Sequence, residues 1–562
     1  MSTYLSRRKR NDSINFYAVT NSWDFEKKTQ KKLQIFIGSF IKGHCRFNDK
    51  ATEYADLFRG TEYERSYWLW RDMQAAEQSQ DEDPLVLKAA LRDCESKNAG
   101  LSLLLDNVGD TLNLRDCLSR VFGDSLACRI LSMAYYCAAE GRQALSRVSV
   151  WFDDHVLPFK GGFSQGMIEK TLVEISSDDI LTFLAEWMKI HGQQEQLSYD
   201  ITSVSSYAQN VAGVTHGYNR DRENLPQINL LMLVGQKSKL PLWFDQLPGA
   251  ISDVTTLKDT MHQIKSIDVN PHGIVMDRGF ASIGNIECLL NSHIKFTMGL
   301  PLHRFEFARE MIDEARASHA FCEPGSTLEL FEEDSLYQTQ AVTRLYKING
   351  HRTYLHLYYT DFYHAQANAI LMSDLREVER KLKHGESFKS ASEEFLAKQC
   401  YTVKTTPRRG LQVKANVEAI ERLRDNHAGY FAILSSQFKD PLEAMRVYKL
   451  RDGIEKRFDD LKNDEDCKRI RVHSEHNMRS RLFIQFIAQI LRCKILTVMQ
   501  SEQGRVLSKS KTVTDVLWNI EPLRRIKIEG HRPFYRRPTK AQVEILKCFG
   551  IPTDTSEWPS MS

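Results

Sequence analysis

Tyr448, Arg451, Glu455 and Lys462 bring a phenol, two permanent cations and a carboxylate into one short stretch. A carboxylate can ligate a hard cation, while a guanidinium and an ammonium can hold an anion. Just upstream, Asp440-Pro441-Leu442-Glu443 offers an Asp N-cap, a proline at the first helical position and a glutamate at N3. That spacing predicts a helix from about 441 to 464. At about 100° per residue the four side chains fall within an arc of about 60° and form one stripe. Val447, Leu450, Ile454, Phe458 and Leu461 form the apolar face beside it. The same spacing also suits ordinary ion pairs on a surface helix, and Asp452 and Asp459 are rival carboxylates.

The elements that would position this stripe lie mostly upstream. Leu197–Thr202, Gln227–Val234 and Pro241–Leu247 read as three consecutive strands, followed by a turn and a helix from Val254 to about Ser266. A buried strand Gly273–Asp277, a helix Ala281–Leu290 and a strand Ile294–Met298 complete a mixed α/β sheet. Asp200 falls within the first strand and Asp277 at the carboxyl end of the fourth, where open α/β sheets hold ligands. Either residue alone also reads as an ordinary strand-end or turn aspartate. Residues 305–428 interrupt the scheme with strands at Leu328–Leu330, Gln338–Tyr346 and Tyr354–Tyr359 and helices at Ser373–Lys383 and Ser390–Lys398, a β-rich insertion domain. Gly429–Leu434 resumes the core.

Before the core, residues 97–192 are helical in pattern, the last helix capped by Ser177. Two short strands, Ile14–Val19 and Leu33–Ile37, mark a small β element near the start. The domain order expected is therefore 1–95 as a basic β-containing region, 96–195 as a helical domain, and 196–304 as the first part of the core. The insertion at 305–428, the second part of the core at 429–500 and a basic region at 501–562 follow.

The chain has 562 residues, 42% of them hydrophobic, and a net charge of only +3. Residues 1–32 nevertheless hold eight Lys or Arg against three acids, and residues 521–547 repeat that balance. Basic ends on a nearly neutral chain suit a polyanion partner or solvated tails. The eleven cysteines are scattered, with no CxxC spacing, which argues for a reducing compartment and against structural zinc. Leu482–Met499 is apolar but carries Gln485, Gln489, Arg492 and Lys494, so it reads as a buried helix rather than a membrane span. No apolar segment follows Ser6-Arg-Arg-Lys-Arg-Asn, and a soluble, cytoplasmic protein without membrane association is expected.

Tyr, two residues, Arg, three residues, Glu, six residues and Lys is the signature of one family. By Tyr448, Arg451, Glu455 and Lys462, the chain resembles the DDE-type insertion-sequence transposases with the YREK motif. Tyr199-Asp200-Ile-Thr-Ser and Val275-Met-Asp277-Arg-Gly-Phe280 are similar to two further family motifs, as are Gly217-Tyr-Asn-Arg220-Asp and Pro248-Gly249 with Asp253. The similarity runs from about residue 100 to 550. It implies an RNase H-like core in which Asp200, Asp277 and Glu455 form a catalytic, metal-binding triad for two Mg²⁺ ions, with Mn²⁺ as a substitute. Such ions activate the attacking oxygen and receive the leaving one in phosphodiester cleavage and strand transfer. Arg451 and Lys462 are then phosphate contacts, Tyr448 a phosphate or base contact, and Arg220, Lys404, Arg408 and Arg409 further DNA contacts. Double-stranded DNA with terminal inverted repeats, target DNA and a second copy of the chain are the implied partners, in a bacterial, nucleoid-associated setting. Relatives that use a hairpin route stack a flipped base on an aromatic ring, often Trp. No Trp lies between 244 and 517, so Tyr358, Tyr359, Phe362 or Tyr363 would have to serve here. The alternatives are a transposase-derived DNA-binding or regulatory protein without catalysis, and a general RNase H-like nuclease.

Overall fold

A computed structural model describes all residues except 1, 11–12, 25–28, 42–43, 79–93, 142–146, 209–210, 212, 218–224, 251–252, 268, 270, 329–338, 407–409, 426, 465–468, 471–473, 510, 529–531 and 559–562. The chain divides into two compact units, Met1–Glu95 with Lys527–Pro533, and Ser96–Ile526 with Phe534–Ser562.

In the first unit, β1 (Ser2–Arg10), β2 (Ser13–Asp24), β3 (Thr29–Ile41) and β4 (His44–Phe47) form an antiparallel sheet in that order. The strands run well past the two short ones expected, because hairpin pairing carries the backbone ladder through basic and polar residues that show no alternation. A 3₁₀ segment Asp49–Phe58 and helix α1 (Glu64–Gln78) cover one face, around Phe16, Ala18, Ile37, Phe58 and Tyr67.

The second unit opens with helices α2 (Gly100–Asp110), α3 (Leu114–Glu140), α4 (Gln165–Glu174) and α5 (Ser177–His191). The cap of α5 is Ser176, whose hydroxyl accepts from the Asp179 amide, one residue ahead of the expected cap Ser177, which is the first residue of the helix. The core sheet follows. Strands β5 (Gln196–Ser206), β6 (Gln227–Gly235) and β7 (Pro241–Pro248) form an antiparallel meander, and helix α6 (Asp253–Ser266) crosses over to β8 (Gly273–Met276). Helix α7 (Ile283–Asn291) then leads to β9 (Phe296–Leu300). Both β8 and β9 run parallel to β5. The order β7-β6-β5-β8-β9 is the RNase H-like arrangement.

Residues 305–428 add helix α8 (Glu306–Ala317), strands β10 (Thr339–Ile348) and β11 (His351–Thr360), helices α9 (Asp361–His384) and α10 (Ala391–Cys400), and a hairpin of β12 (Tyr401–Thr406) and β13 (Gly410–Ala415). Strand β14 (Tyr430–Ser435) lies antiparallel between β11 and β9, so β10 and β11 extend the core sheet itself. Helices α9 and α10 have a small core of their own around Leu375, Val378, Leu396 and Cys400.

After β14 come α11 (Pro441–Lys449), α12 (Asp452–Asp459) and the long helix α13 (Glu475–Gln500). Asp440 caps α11 through the Leu442 and Glu443 amides, with Pro441 at its start. The single helix expected over 441–464 is instead interrupted at Leu450–Arg451 and ends in a π-helical turn, Asp460–Asp464. Ile454, Phe458 and Leu461 are buried as their period requires, but Leu450 is 55% exposed. A projection at constant angle holds only within an unbroken helix, and the interruption rolls Leu450 out of the apolar face. Among the described residues α13 is the one helix long and apolar enough to cross a membrane, and 78% of that stretch is buried inside the fold. Phe483 of α13 packs on Phe122 and Phe183, 5.4 and 5.2 Å between ring centres.

A buried histidine on β11 gives the fold a pH response. The Nε2 of His356 donates to the Phe438 carbonyl at 3.1 Å, which leaves Nδ1 to accept from the Thr343 hydroxyl at 2.9 Å. Burial holds the imidazole's pKa down at about 4 against the pull of that carbonyl. The unfolded chain therefore binds the extra proton first, and stability is full above about pH 6.5 and lost as pH falls toward 4. Chemical denaturation should show a loss on the order of 3 kcal/mol across that window. His356→Asn should flatten it, and an unchanged slope in that variant would assign the response to other groups.

Candidate active site

Alternation along β5 sends Leu197, Tyr199 and Ile201 to one face of the sheet and Ser198 and Asp200 to the other. Tyr199 packs edge-on against Phe280, 5.0 Å between ring centres, and its hydroxyl meets Thr256 at 3.2 Å. Asp200 is buried, and its Oδ1 accepts from the Ile201 amide at 2.8 Å. Tyr199 pairs with Met276 in the parallel register of β5 and β8. The next rung places Asp200 beside Asp277, which leaves β8 at its carboxyl end and starts the 3₁₀ turn Arg278–Phe280.

Helices α11 and α12 close over the face that carries Asp200. Gln236 staples them there, its Nε2 donating to Ser198 Oγ at 3.1 Å and to the Val447 carbonyl at 2.9 Å. On the same face, Tyr358 of β11 donates to the Pro441 carbonyl at 2.7 Å and packs with Met445 of α11. Gln489 on α13 donates to the Arg457 carbonyl at 2.9 Å and so satisfies the last turn of α12.

A cleft of about 820 Å³ opens at the carboxyl ends of β8 and β9. It is lined by Asp277, Tyr448, Arg451 and Glu455, together with Arg278, His303 and Arg304. Tyr448 donates to Asp277 Oδ1 at 3.3 Å, and the Arg451 guanidinium lies 5.6 Å from the Tyr448 ring centre. Burial, and then the charge of Asp277, push the Tyr448 phenol up to about 12, so it remains a proton donor to that carboxylate at neutral pH. Arg451 reaches Glu455 Oε1 at 2.7 Å and Asp452 Oδ1 at 3.3 Å. Burial opposes its charge, but the hydrogen bond it donates to Glu455 and the field of Asp277 outweigh this and raise its pKa. Among the described residues its Nε is buried without a partner.

Three of the stripe residues thus meet in one cleft with Asp277. Lys462, the fourth, sits in the π-helical turn past α12, buried, and does not line that cleft. Arg278, His303 and Arg304 were not singled out from the sequence; the position of Arg278 directly after Asp277 was the available signal. Arg220, Arg408 and Arg409 lie outside the described residues. Lys404 is exposed on β12. Of the aromatics considered as a base platform, Tyr358 is fully buried and stacked on Phe431 at 4.7 Å, which removes it as a candidate. Tyr363 is exposed and lines a neighbouring hollow of about 460 Å³, on the other side of Tyr448.

The donor set suits a hard divalent cation, since Asp200, Asp277 and Glu455 offer only carboxylate oxygens and the first two lie side by side at neighbouring strands. Among the described residues no group of three His, Cys, Asp or Glu already surrounds a single point. Glu455 faces Arg451 instead, but its side chain is 56% exposed, and an ion pair that open to water is readily exchanged for another partner.

None of the curated proteins matches the chain. A solved structure of the piggyBac transposase synaptic complex with hairpin DNA is similar, at 10% identity over 75% of this chain and 76% of that one, with a TM-score of 0.35. The family model for the transposase DDE domain matches residues 188–491, more than half of the chain. That span begins in α5, takes in Asp200, Asp277 and the helices bearing Tyr448, Arg451 and Glu455, and ends within α13, so this chain belongs to the transposases with a DDE domain.

Proposed function

We propose that this chain is an active, insertion-sequence-type transposase that cuts DNA at the ends of its element and transfers the freed strand to target DNA. The observation that carries the reading is the meeting of Asp277, Tyr448, Arg451 and Glu455 in one cleft, with Asp200 on the strand beside Asp277. Asp200, Asp277 and Glu455 would hold two Mg²⁺ ions, which when bound neutralise charge at the scissile phosphate and favour the attacking oxygen. Arg451, which lines the cleft, binds a non-bridging phosphate oxygen through its guanidinium, and Tyr448 keeps Asp277 oriented by donating to it. Arg278 and Arg304 extend the positive wall of the cleft along the DNA backbone. Terminal inverted repeats are the expected substrate, held by two copies of the chain.

The present contact of Glu455 with Arg451 favours one second reading, a protein kept for DNA binding alone. A labelled duplex carrying the inverted repeat that flanks the gene separates the two. Boundary-specific cutting in Mg²⁺ and none in Ca²⁺ supports the transposase. End-specific binding by folded protein with no cutting in Mg²⁺ or Mn²⁺ supports the binder.

The role given to Tyr448 has its own check. A Cβ added at Gly299 on β9 would lie 2.5 Å from the Tyr448 Oη, so Gly299→Ala must push the phenol off Asp277. Loss of a hydrogen bond to a charged group is worth about 1.5 to 3 kcal/mol, so cleavage should fall at least about tenfold. Tyr448→Phe should cost the same, and the double variant should lose little more than either one. Additive losses in the double variant would place the two residues in separate roles.

A further inference from the structure

Among its described residues, the first unit has a sheet face that α1 and the 3₁₀ segment do not cover, with Val19 buried at its middle and aromatic rings exposed around it. Phe16, Ala18 and Ile37 point toward α1 and the 3₁₀ segment, so the alternate positions of β1, β2 and β3 point the other way. That second face carries Tyr4, Arg8, Tyr17, Trp23, Lys32 and Phe36. Trp23 is 55% exposed, and Tyr4 and Phe36 are each 43% exposed. Arg8 and the aromatics are interleaved, with the guanidinium 5.3 Å from the Tyr17 ring centre and Tyr17 against Phe36 at 5.6 Å. The registers Asn21 with Lys32 and Tyr4 with Val19 put the second cation and a further ring on the same face. No described position of that face is Asp or Glu.

We infer that this face binds single-stranded DNA, with unpaired bases stacked on Tyr4, Trp23 and Phe36 and phosphates held by Arg8 and Lys32. Exposed rings on a sheet offer π-faces to unstacked bases, and each stacked base is worth about 1 to 3 kcal/mol. A duplex is the poorer fit. Its bases are already stacked, and its major groove admits a helix or a two-stranded ribbon rather than the flat of a sheet. The absence of carboxylates from the face leaves its potential positive. The choice of DNA over RNA rests on the family to which the chain belongs, while the face itself is independent of the cleavage chemistry.

The test uses full-length protein in EDTA, with fluorescence anisotropy of labelled oligo(dT), oligo(rU) and an unrelated duplex at one salt concentration. Oligo(dT) should bind more tightly than the other two. Trp23→Ala and Phe36→Ala should each weaken it by roughly five- to 100-fold, the range that one stacked base spans, with duplex affinity changed less than about twofold. Trp23→Phe keeps a ring and should retain most of the affinity. Arg8→Gln should lower the slope of log affinity against log salt by about 0.7. These are exposed positions, so circular dichroism and the thermal midpoint should stay at wild-type values. Equal losses on the duplex, tighter binding of oligo(rU), or oligo(dT) binding indifferent to both alanine variants would each overturn the proposal. None of those results touches the cleavage reading, which depends on the cleft around Glu455.

Discussion

Glu455→Gln is expected to lower strand cleavage by at least about 10³-fold while leaving the fold and end-specific DNA binding intact, because Lewis-acid stabilisation at a phosphoryl centre is worth several kcal/mol. The substitution removes one charge from the carboxylate set at nearly constant volume. Glu455 is largely exposed, and its one strong contact is the half-open pair with Arg451, so little stability is at stake. Arg451, released from Glu455, retains Asp452 and the Tyr448 ring as neighbours. Rates on a duplex ending at the element boundary, in Mg²⁺, measure the first effect, and a gel shift in Ca²⁺ measures the second. Cleavage within about tenfold of wild type would remove Glu455 from the site and return attention to Asp452, the rival carboxylate on the same helix. The metal has a readout apart from turnover. Mg²⁺ should raise the unfolding midpoint of the wild type more than that of the variant, since a ligand bound only by the folded state stabilises it in proportion to its affinity.

Trp187→Ala is expected to destabilise the second unit by about 3 to 5 kcal/mol, a large fraction of what holds a typical domain together. Trp187 is fully buried on α5, stacked on Phe183 with ring centres 6.0 Å apart, and its Nε1 donates to the Pro241 carbonyl of β7 at 3.0 Å. Alanine would leave a cavity between the helical layer and the sheet and strip a buried carbonyl of its donor, two costs that add. Trp187→Phe keeps most of the volume and should lose about half as much. Urea midpoints of the three proteins give the comparison. A loss under about 1 kcal/mol for the alanine variant would mean that α5 and β7 repack or separate without cost, contrary to their burial.

Much of this molecule is legible along the chain because the deciding forces are local. Asp440, Pro441 and Glu443 start α11 through the sterics and amide bonds of a single turn. The apolar run Gly273–Met276 and the meander before it announce buried strands, and strand parity alone sends Tyr199 and Asp200 to opposite faces. The chain's own spacing put Tyr448, Arg451 and Glu455 on one side of the helical segment, and the cleft contains all three. The rest depends on neighbours hundreds of residues away. The π-helical turn Asp460–Asp464 breaks the stripe between Glu455 and Lys462, so one lines the cleft and the other is buried away from it. That Tyr448 reaches Asp277, that Gly299 leaves it room, and that Gln236 and Tyr358 pin α11 from separate elements are contacts across 83 to 211 positions. Periodicity records which side of an element is apolar, and it records nothing about which distant side chain will stand opposite. Only packing, by excluding water and limiting each polar group to the partners within reach, decides which cation meets which carboxylate.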